Sequence, residues 1–413
     1  MFLKKIDAEI VLEHGTKKYI ILTMKKILPI LIAFLLTTNL SYSIEEVVLE
    51  KDQQLLESIV LDVQEKTANN EKTLQEKLND IYHLEIEQID KPSFLFKEIL
   101  TKHYDEKSAW ESMQLWGAYG GHLNLNFAEG ESFNGDYAFD VINVGLDGKL
   151  KNHNGDFRIM FNYSPLSSRN VVQNLFADMY VGTNKVPHHR FWVGNTRPPV
   201  GMEGGYSPYV LPFVARSQIS RNFGTVRKLG ARVSGDYSLV DYDFGIYSSD
   251  TYFQEFFPGT EFVGWVNLKP LGKTDGKYGK LKIGGGVQSG DRNTDYTVTG
   301  AYVGYEYKKL LLNFEWVDAN GYNGPVGYAV DKHASGFYST LAYRFTPKLQ
   351  GLIRYDEFDP NKNIAHNNKR EYSVGFNYFI KGQALKLIMN YVFCQNDATK
   401  DSHRILLGTQ ILF

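Results

Sequence analysis

From residue 114 to the carboxy terminus, side chains of different character alternate with a period of two. Phe157, Ile159 and Phe161, for example, alternate with Arg158 and Asn162. Because successive side chains of a β-strand point to opposite sides, each such run has one apolar face and one wetter face. The pattern predicts an all-β architecture for residues 113–413.

Sixteen runs of this kind follow one another along the chain. Glycine-containing turn signals, such as Asp147-Gly148 and Asn154-Gly155, occur among them. The predicted strands start near Gln114, Asp136, Asp156, Leu175, His189, Lys228, Val240, Phe262, Lys280, Thr297, Leu310, Ala334, Leu349, Glu371, Ala384 and His403.

A run of two-faced strands this long predicts a 16-stranded antiparallel transmembrane β-barrel. A soluble sandwich would divide into domains of about 100 residues, and no boundary marks such a division here. In a membrane barrel the apolar side chains face lipid and the polar and small ones face the lumen. The 27 Tyr, 26 Phe and 5 Trp residues suit the aromatic girdles of such a barrel. An array of secreted β-sandwiches is the alternative.

The net charge of −2 excludes a strongly basic nucleic-acid-binding protein, so no nucleic-acid partner is expected. The only cysteine, Cys394, excludes an intrachain disulfide and a cysteine-based zinc site. Asp291 to Asp295 have the oxygen spacing of a calcium loop but lack its glycine at position six. We therefore predict no metal site, no cofactor and no enzymatic activity.

Residues 1–43 are interpreted as an upstream extension followed by a signal peptide. The ten apolar residues Ile27 to Leu36 follow Lys25 and Lys26, and small residues precede the expected cleavage after Ser43. Ten residues are too few to span a bilayer, which needs about 20. A cytoplasmic anchor is the alternative. Export and a barrel together predict an outer-membrane address, with outer-membrane lipid around the barrel.

Residues 44–112 are predicted to form an acidic helical segment in the periplasm. Residues 45–111 hold 8 Lys against 17 acidic residues, and glycine is absent from them. Apolar residues at a spacing of three and four indicate helix, although residues 67–70 interrupt the pattern. A short oligomeric coiled coil and a solvated helical pair are both open. Contact with the cell wall through this segment would suit an envelope-anchoring protein.

Several segments resemble the phosphate-selective porin O and P family. The resemblance covers residues 114–413 and rests on Arg190–Glu203, Phe213–Ser217, Arg227–Gly230, Arg354–Asn361 and the pair Tyr372–Phe379 and Leu385–Val392. Membership implies a trimeric outer-membrane channel of sixteen strands whose third long loop folds into the lumen. It also implies the passage of anions such as phosphate along rows of Arg and Lys.

The segment Thr196–Arg232 has little strand character and contains six basic residues against one acid, Glu203. If it folds into the lumen, these cations form an anion-binding constriction, because narrow walls of low dielectric strengthen a field of one sign. The predicted constriction residues are Arg197, Arg216, Arg221, Arg227, Lys228 and Arg232.

Further cations on the inward faces of strands would continue the path of small anionic or polar solutes. These predicted lumen-lining residues are Arg158, Lys282, Arg344, Arg354 and Lys386. The competing interpretation is that inward charges pair across the lumen and hold the loop in place. The chain would then be a general-diffusion porin. A structural envelope protein and a barrel hydrolase are weaker alternatives.

Overall fold

The computed structural model describes residues 93–413, apart from residues 129, 154, 164–174, 251–254 and 327. The predicted signal peptide and residues 44–92 of the predicted helical segment lie outside the described residues. In the described part, no helix is long and apolar enough to cross a membrane.

The described chain is built from seventeen strands that belong to one sheet. They are β1 Thr101–His103, β2 Trp110–Ala128, β3 Asn134–Leu150, β4 Asp156–Asn162, β5 Phe176–Thr183, β6 His189–Thr196, β7 Lys228–Asp236, β8 Val240–Ser248, β9 Thr260–Leu268, β10 Lys280–Asp291, β11 Asp295–Tyr307, β12 Leu310–Tyr322, β13 Val330–Arg344, β14 Leu349–Asp359, β15 Lys369–Lys381, β16 Leu385–Asn396 and β17 Ser402–Leu412. Two short α-helices, α1 Met202–Gly205 and α2 Gln218–Phe223, and two 3₁₀ turns, Lys151–His153 and Pro208–Val210, lie between strands.

Strands β2 to β17 form a closed antiparallel barrel of sixteen strands. Each strand pairs with the next along the chain, and β17 pairs with β2 from Ser402↔Ala128 to Leu412↔Ala118. Closure leaves the barrel without an unpaired edge, as a sheet that spans a membrane requires. The predicted barrel is thereby confirmed.

The predicted strand starts also agree with the structure. The largest differences are four residues, at Gln114 against Trp110 and at Ala334 against Val330. One turn signal was misleading, because Asp147-Gly148 lies inside β3, which continues to Leu150. The need for glycine here is steric, since a Cβ on Gly148 would overlap the ring of Phe157 on β4.

Residues 93–112, the described end of the predicted helical segment, contain strand and turns rather than α-helix. The amide of Leu95 donates to the carbonyl oxygen of Leu412 at 3.0 Å, and β1 pairs with the beginning of β2. These contacts hold the segment against the first and last strands of the barrel. Sheet pairing therefore outweighs local helix propensity here.

The strand alternation separates an outer face from an inner face. On β12, Leu312, Phe314 and Trp316 are exposed on the outside, whereas Glu315 and Val317 are buried on the inside. Exposed apolar side chains on the outer face fit contact with lipid. The inner face of β12 is buried because a loop packs against it.

Candidate functional site

The loop between β6 and β7, residues 197–227, is here called the constriction loop. Pro198 and Pro199 end β6, since proline has no N–H to donate to a sheet ladder. Gly201 then has φ +68, a conformation that favours glycine. Ser217 caps α2 by accepting a hydrogen bond from the amide of Ser220 at 3.3 Å.

Polar contacts with inward side chains show that the constriction loop crosses the lumen. Lys386 of β16 donates to the carbonyl oxygen of Leu211 at 3.0 Å. The hydroxyl of Tyr209 donates to Asn143 of β3 at 2.9 Å. These two contacts lie on opposite sides of the β17–β2 junction, so the loop lies against several strands inside the barrel, as the family resemblance implied.

The side of the barrel that the loop packs against is here called the covered wall, the inward residues of β12 to β17. Phe223 of α2 packs edge-on against Tyr322 and Phe358, with ring centroids 4.9 and 5.8 Å apart. Val200, Met202 and further apolar residues join this buried cluster. The loop is therefore held by an apolar core as well as by hydrogen bonds.

The inner face from β3 to β10 is here called the open wall. Five pairs of charged side chains at this wall are partly exposed. The pairs are Arg158–Asp147 at 2.7 Å, Arg190–Asp156 at 2.8 Å, Arg227–Asp178 at 2.6 Å, Lys282–Asp241 at 3.3 Å and Arg232–Asp243. The guanidinium groups of Arg190 and Arg232 also lie 5.1 and 4.4 Å from the ring of Trp192. These contacts fix flat polar groups along the wall.

The structure separates the six predicted constriction residues into two groups. Four have a carboxylate partner: Arg221 binds Glu371 at 2.8 Å, and Arg227, Lys228 and Arg232 bind Asp178, Glu261 and Asp243. Lys228 and Glu261 are fully buried, so this lysine is out of contact with a passing solute. The other two, Arg197 and Arg216, bind backbone carbonyl groups instead.

The five predicted lumen-lining residues divide in the same way. Arg158 and Lys282 lie on the open wall with 31% and 40% of their side-chain surface exposed. Arg344, Arg354 and Lys386 lie on the covered wall and are buried. Arg354 pairs with Glu203 of the loop at 2.5 Å, so it contacts the loop and not an open surface. The inward cations that line an open surface are thus fewer than the sequence predicted.

Arg197 and Arg216 form a pair of like charges. Nη1 of Arg197 and Nη2 of Arg216 donate to the same oxygen, the carbonyl of Tyr206, at 2.8 and 2.7 Å. Among the described residues, neither arginine has a carboxylate within salt-bridge distance. Nε of Arg197 is buried without a hydrogen-bond partner in the same part of the chain. Burial and the charges of Arg227 and Arg216 lower the pKa of Arg197 well below its usual range.

Sequence reasoning missed four of the carboxylates that pair with inward cations. Asp147, Asp178, Glu261 and Glu371 each neutralise an inward cation. Their strand positions gave the face on which each lies. The signal that could have found Asp147 is its register, directly opposite Arg158 on the neighbouring strand. Glu371 gave no such signal, since it is 150 residues from Arg221.

No cluster of three or more histidine, cysteine, aspartate or glutamate residues that could hold a metal ion occurs in the described ranges. The Asp291–Asp295 segment closes the β10–β11 hairpin, with these two residues paired across the ladder.

Residues 277–413 match the family model described as "Phosphate-selective porin O and P". The matched region is less than half of the chain. It contains β10 to β17, eight of the sixteen barrel strands, and confirms the resemblance to this porin family over that part. A porin match and a closed barrel together support an outer-membrane channel. No curated protein matches the chain.

Solved porin structures share the fold of this chain. An anion-selective porin from Comamonas acidovorans is 12% identical, with a TM-score of 0.54, and the match covers 73% of this chain and 99% of that one. OprB of Pseudomonas putida is 10% identical, with a TM-score of 0.56 and coverage of 76% and 100%. A trimer form of OmpT of Vibrio cholerae is 12% identical, with a TM-score of 0.51 and coverage of 74% and 100%. At these identities the likeness concerns the fold.

Proposed function

We propose that the chain forms a water-filled outer-membrane channel that prefers small anions, phosphate among them. The observation that carries the proposal is the pair Arg197 and Arg216, two guanidinium groups that converge on one carbonyl oxygen without a carboxylate partner among the described residues. An anion placed beside them would relieve their mutual repulsion and accept hydrogen bonds from both. On the open wall each of the five cations named above is paired with a carboxylate, so each pair is neutral overall.

Anion preference in this proposal depends on few residues. Most inward cations are neutralised within salt-bridge distance, and a neutral pair contributes little field at a distance. Arg197 and Arg216 are the exceptions among the predicted constriction residues. The anion-selective porin from Comamonas acidovorans shares the fold, and this likeness supports the same selectivity.

The zero-current potential of the purified protein in a planar bilayer under a salt gradient tests the proposal. The wild type should prefer anions. Replacing Arg197 and Arg216 together with Gln should lower the anion-to-cation permeability ratio roughly tenfold, the factor that corresponds to about 1.4 kcal/mol of lost anion binding. Added phosphate should block chloride current in the wild type more than in this variant.

A matched control removes a guanidinium without changing net charge. In the double variant Arg158→Gln with Asp147→Asn, the open-wall pair that joins β4 to β3 becomes a neutral pair of similar shape. We expect its zero-current potential to equal that of the wild type. An equal loss of selectivity in both double variants would assign the selectivity to the lumen as a whole and remove the arginine pair from its role.

A general-diffusion porin is the second candidate, and the number of paired inward charges supports it. In that case the wild type itself shows weak selectivity and both double variants leave it unchanged. We further propose that the protein assembles as a homotrimer with the amino-terminal segment in the periplasm. Cross-linking of the protein in outer membranes to a species of three chains would test the trimer.

A further inference from the structure

Glu315 of β12 is a buried carboxylate of the covered wall with contacts to the constriction loop. Its Oε1 and Oε2 accept hydrogen bonds from the amides of Met202 and Glu203 at 2.9 and 3.2 Å. Its exposed fraction is 2%. Gly201 lies against the same carboxylate, and a Cβ at this position would overlap Oε1. The barrel wall therefore holds the chain at the beginning of α1 through one side chain.

The same few residues of the loop hold the arginine pair. Arg216 donates to the carbonyl oxygens of Glu203 and Tyr206, and Arg197 donates to that of Tyr206. The side chain of Glu203 in turn binds Arg354 of β14 and the amide of Ser217. A displacement of α1 would move both carbonyl oxygens and with them both guanidinium groups.

We infer that Glu315 is a positioning residue, which fixes α1 on the barrel wall and thereby sets the place of the Arg197–Arg216 pair in the channel. The inference rests on the proposed function for its effect on selectivity. Glu315 does not contact the solute, since it is buried behind the loop. Its effect is transmitted through the backbone of residues 202–206.

The direction in which anion preference changes when Glu315 is neutralised distinguishes a positioning role from a direct effect of its charge. An ionised Glu315 repels anions, so its neutralisation would raise anion preference if its charge were all that mattered. Loss of positioning would lower anion preference, because the arginine pair would no longer be held together at the channel. Gln places an NH2 donor where one of the two carboxylate oxygens now accepts from a backbone amide, so it cannot reproduce both hydrogen bonds in this arrangement.

The first experiment compares Glu315→Gln with Asp318→Asn at pH 9, where carboxyl groups are ionised. Asp318 lies on the same strand but on the outer face, where it binds His333 and Lys362. We expect the anion-to-cation permeability ratio of Glu315→Gln to fall by about threefold, as for charges displaced rather than removed. Asp318→Asn should match the wild type. A rise in anion preference in Glu315→Gln would overturn the inference.

The second experiment changes the same contact from the loop side without a change of charge. In Gly201→Ala the new Cβ meets Glu315, and a residue other than glycine is strained at φ +68. Gly205→Ala is the matched control, because a Cβ there has no atom within 4 Å. We expect Gly201→Ala to lower anion preference in the same direction as Glu315→Gln. Equal behaviour of the two alanine variants would contradict the inference.

The hydrogen-exchange rates of the amides of Met202 and Glu203 in the folded protein report on their hydrogen bonds to Glu315 independently of selectivity. Faster exchange in Glu315→Gln than in Asp318→Asn is expected. Unchanged exchange would overturn the inference. Faster exchange together with a wild type that shows no anion preference would refute the proposed function instead, and would leave Glu315 as the residue that positions the loop.

Discussion

The covered wall and the open wall of this barrel use the same kinds of residues in different environments. On the covered wall, Arg354 and Glu203 pair with 4% and 3% of their side-chain surfaces exposed. On the open wall, Arg158 and Asp147 pair with 31% and 26% exposed. Breaking a buried pair leaves an uncompensated charge in a medium of low dielectric, whereas water solvates the survivor of an exposed pair. Burial therefore decides how much a charge pair contributes to the free energy of unfolding.

The largest effect is expected from Phe223→Ala in the constriction loop, where the ring packs against the covered wall. The ring of Phe223 is 1% exposed and packs between Tyr322 and Phe358, so its removal leaves a cavity between loop and wall. We expect a loss of about 3–5 kcal/mol in the free energy of unfolding, read from denaturant unfolding in lipid vesicles. A loss below about 1 kcal/mol would show that the loop does not form part of the core.

Glu203→Gln should be nearly as costly. The substitution leaves Arg354 buried without its carboxylate partner, and removal of one partner of a buried pair typically costs about 3–5 kcal/mol. Burial alone would raise the pKa of Glu203, but Arg354 and hydrogen bonds from Ser217 hold the pKa below its usual range. The stabilisation is therefore present above the ordinary carboxyl pKa and is lost as pH falls through the lowered one. Unfolding of both proteins as a function of pH measures it, and parallel curves would contradict the assignment.

Arg158→Gln on the open wall should cost less. Its bidentate pair with Asp147 is partly exposed and solvent screens it, so about 1 kcal/mol or less is expected. The same unfolding measurement applies, with Arg158→Lys as the control that keeps the charge but not the two parallel hydrogen bonds. A cost equal to that of Glu203→Gln would remove the distinction between the two walls.

The smallest effect is expected outside the barrel lumen. Arg370 pairs with Asp397 at 3.0 Å, next to a loop at the edge of the barrel. We expect Arg370→Gln to change the free energy of unfolding by about 0.5 kcal/mol or less and to leave the zero-current potential unchanged. A clear shift in that potential would mean that charges at the edge contribute to selectivity, and the comparison of the two walls would be incomplete.

The sequence by itself determined the strands, their number and the two faces of the barrel. Period-two alternation is a local property of a strand, so it can be read from neighbours in the chain, as at Tyr296, Val298 and Tyr302 on the buried face of β11. The position of the constriction loop could be predicted as well, because prolines and glycines interrupt the alternation between Thr196 and Lys228.

Only the tertiary structure decided which inward cations meet the channel. Alternation shows on which face of the sheet a side chain lies. Whether that face is buried depends on a loop that is distant in sequence. Arg354 and Arg158 both lie at inward positions of strands. Arg354 is buried against Glu203 of the loop, 151 residues away in the chain, whereas Arg158 is partly exposed. Lys228 is likewise removed from the channel by Glu261. Charge pairing across a lumen depends on strand register and loop packing. A local sequence pattern does not determine either of them.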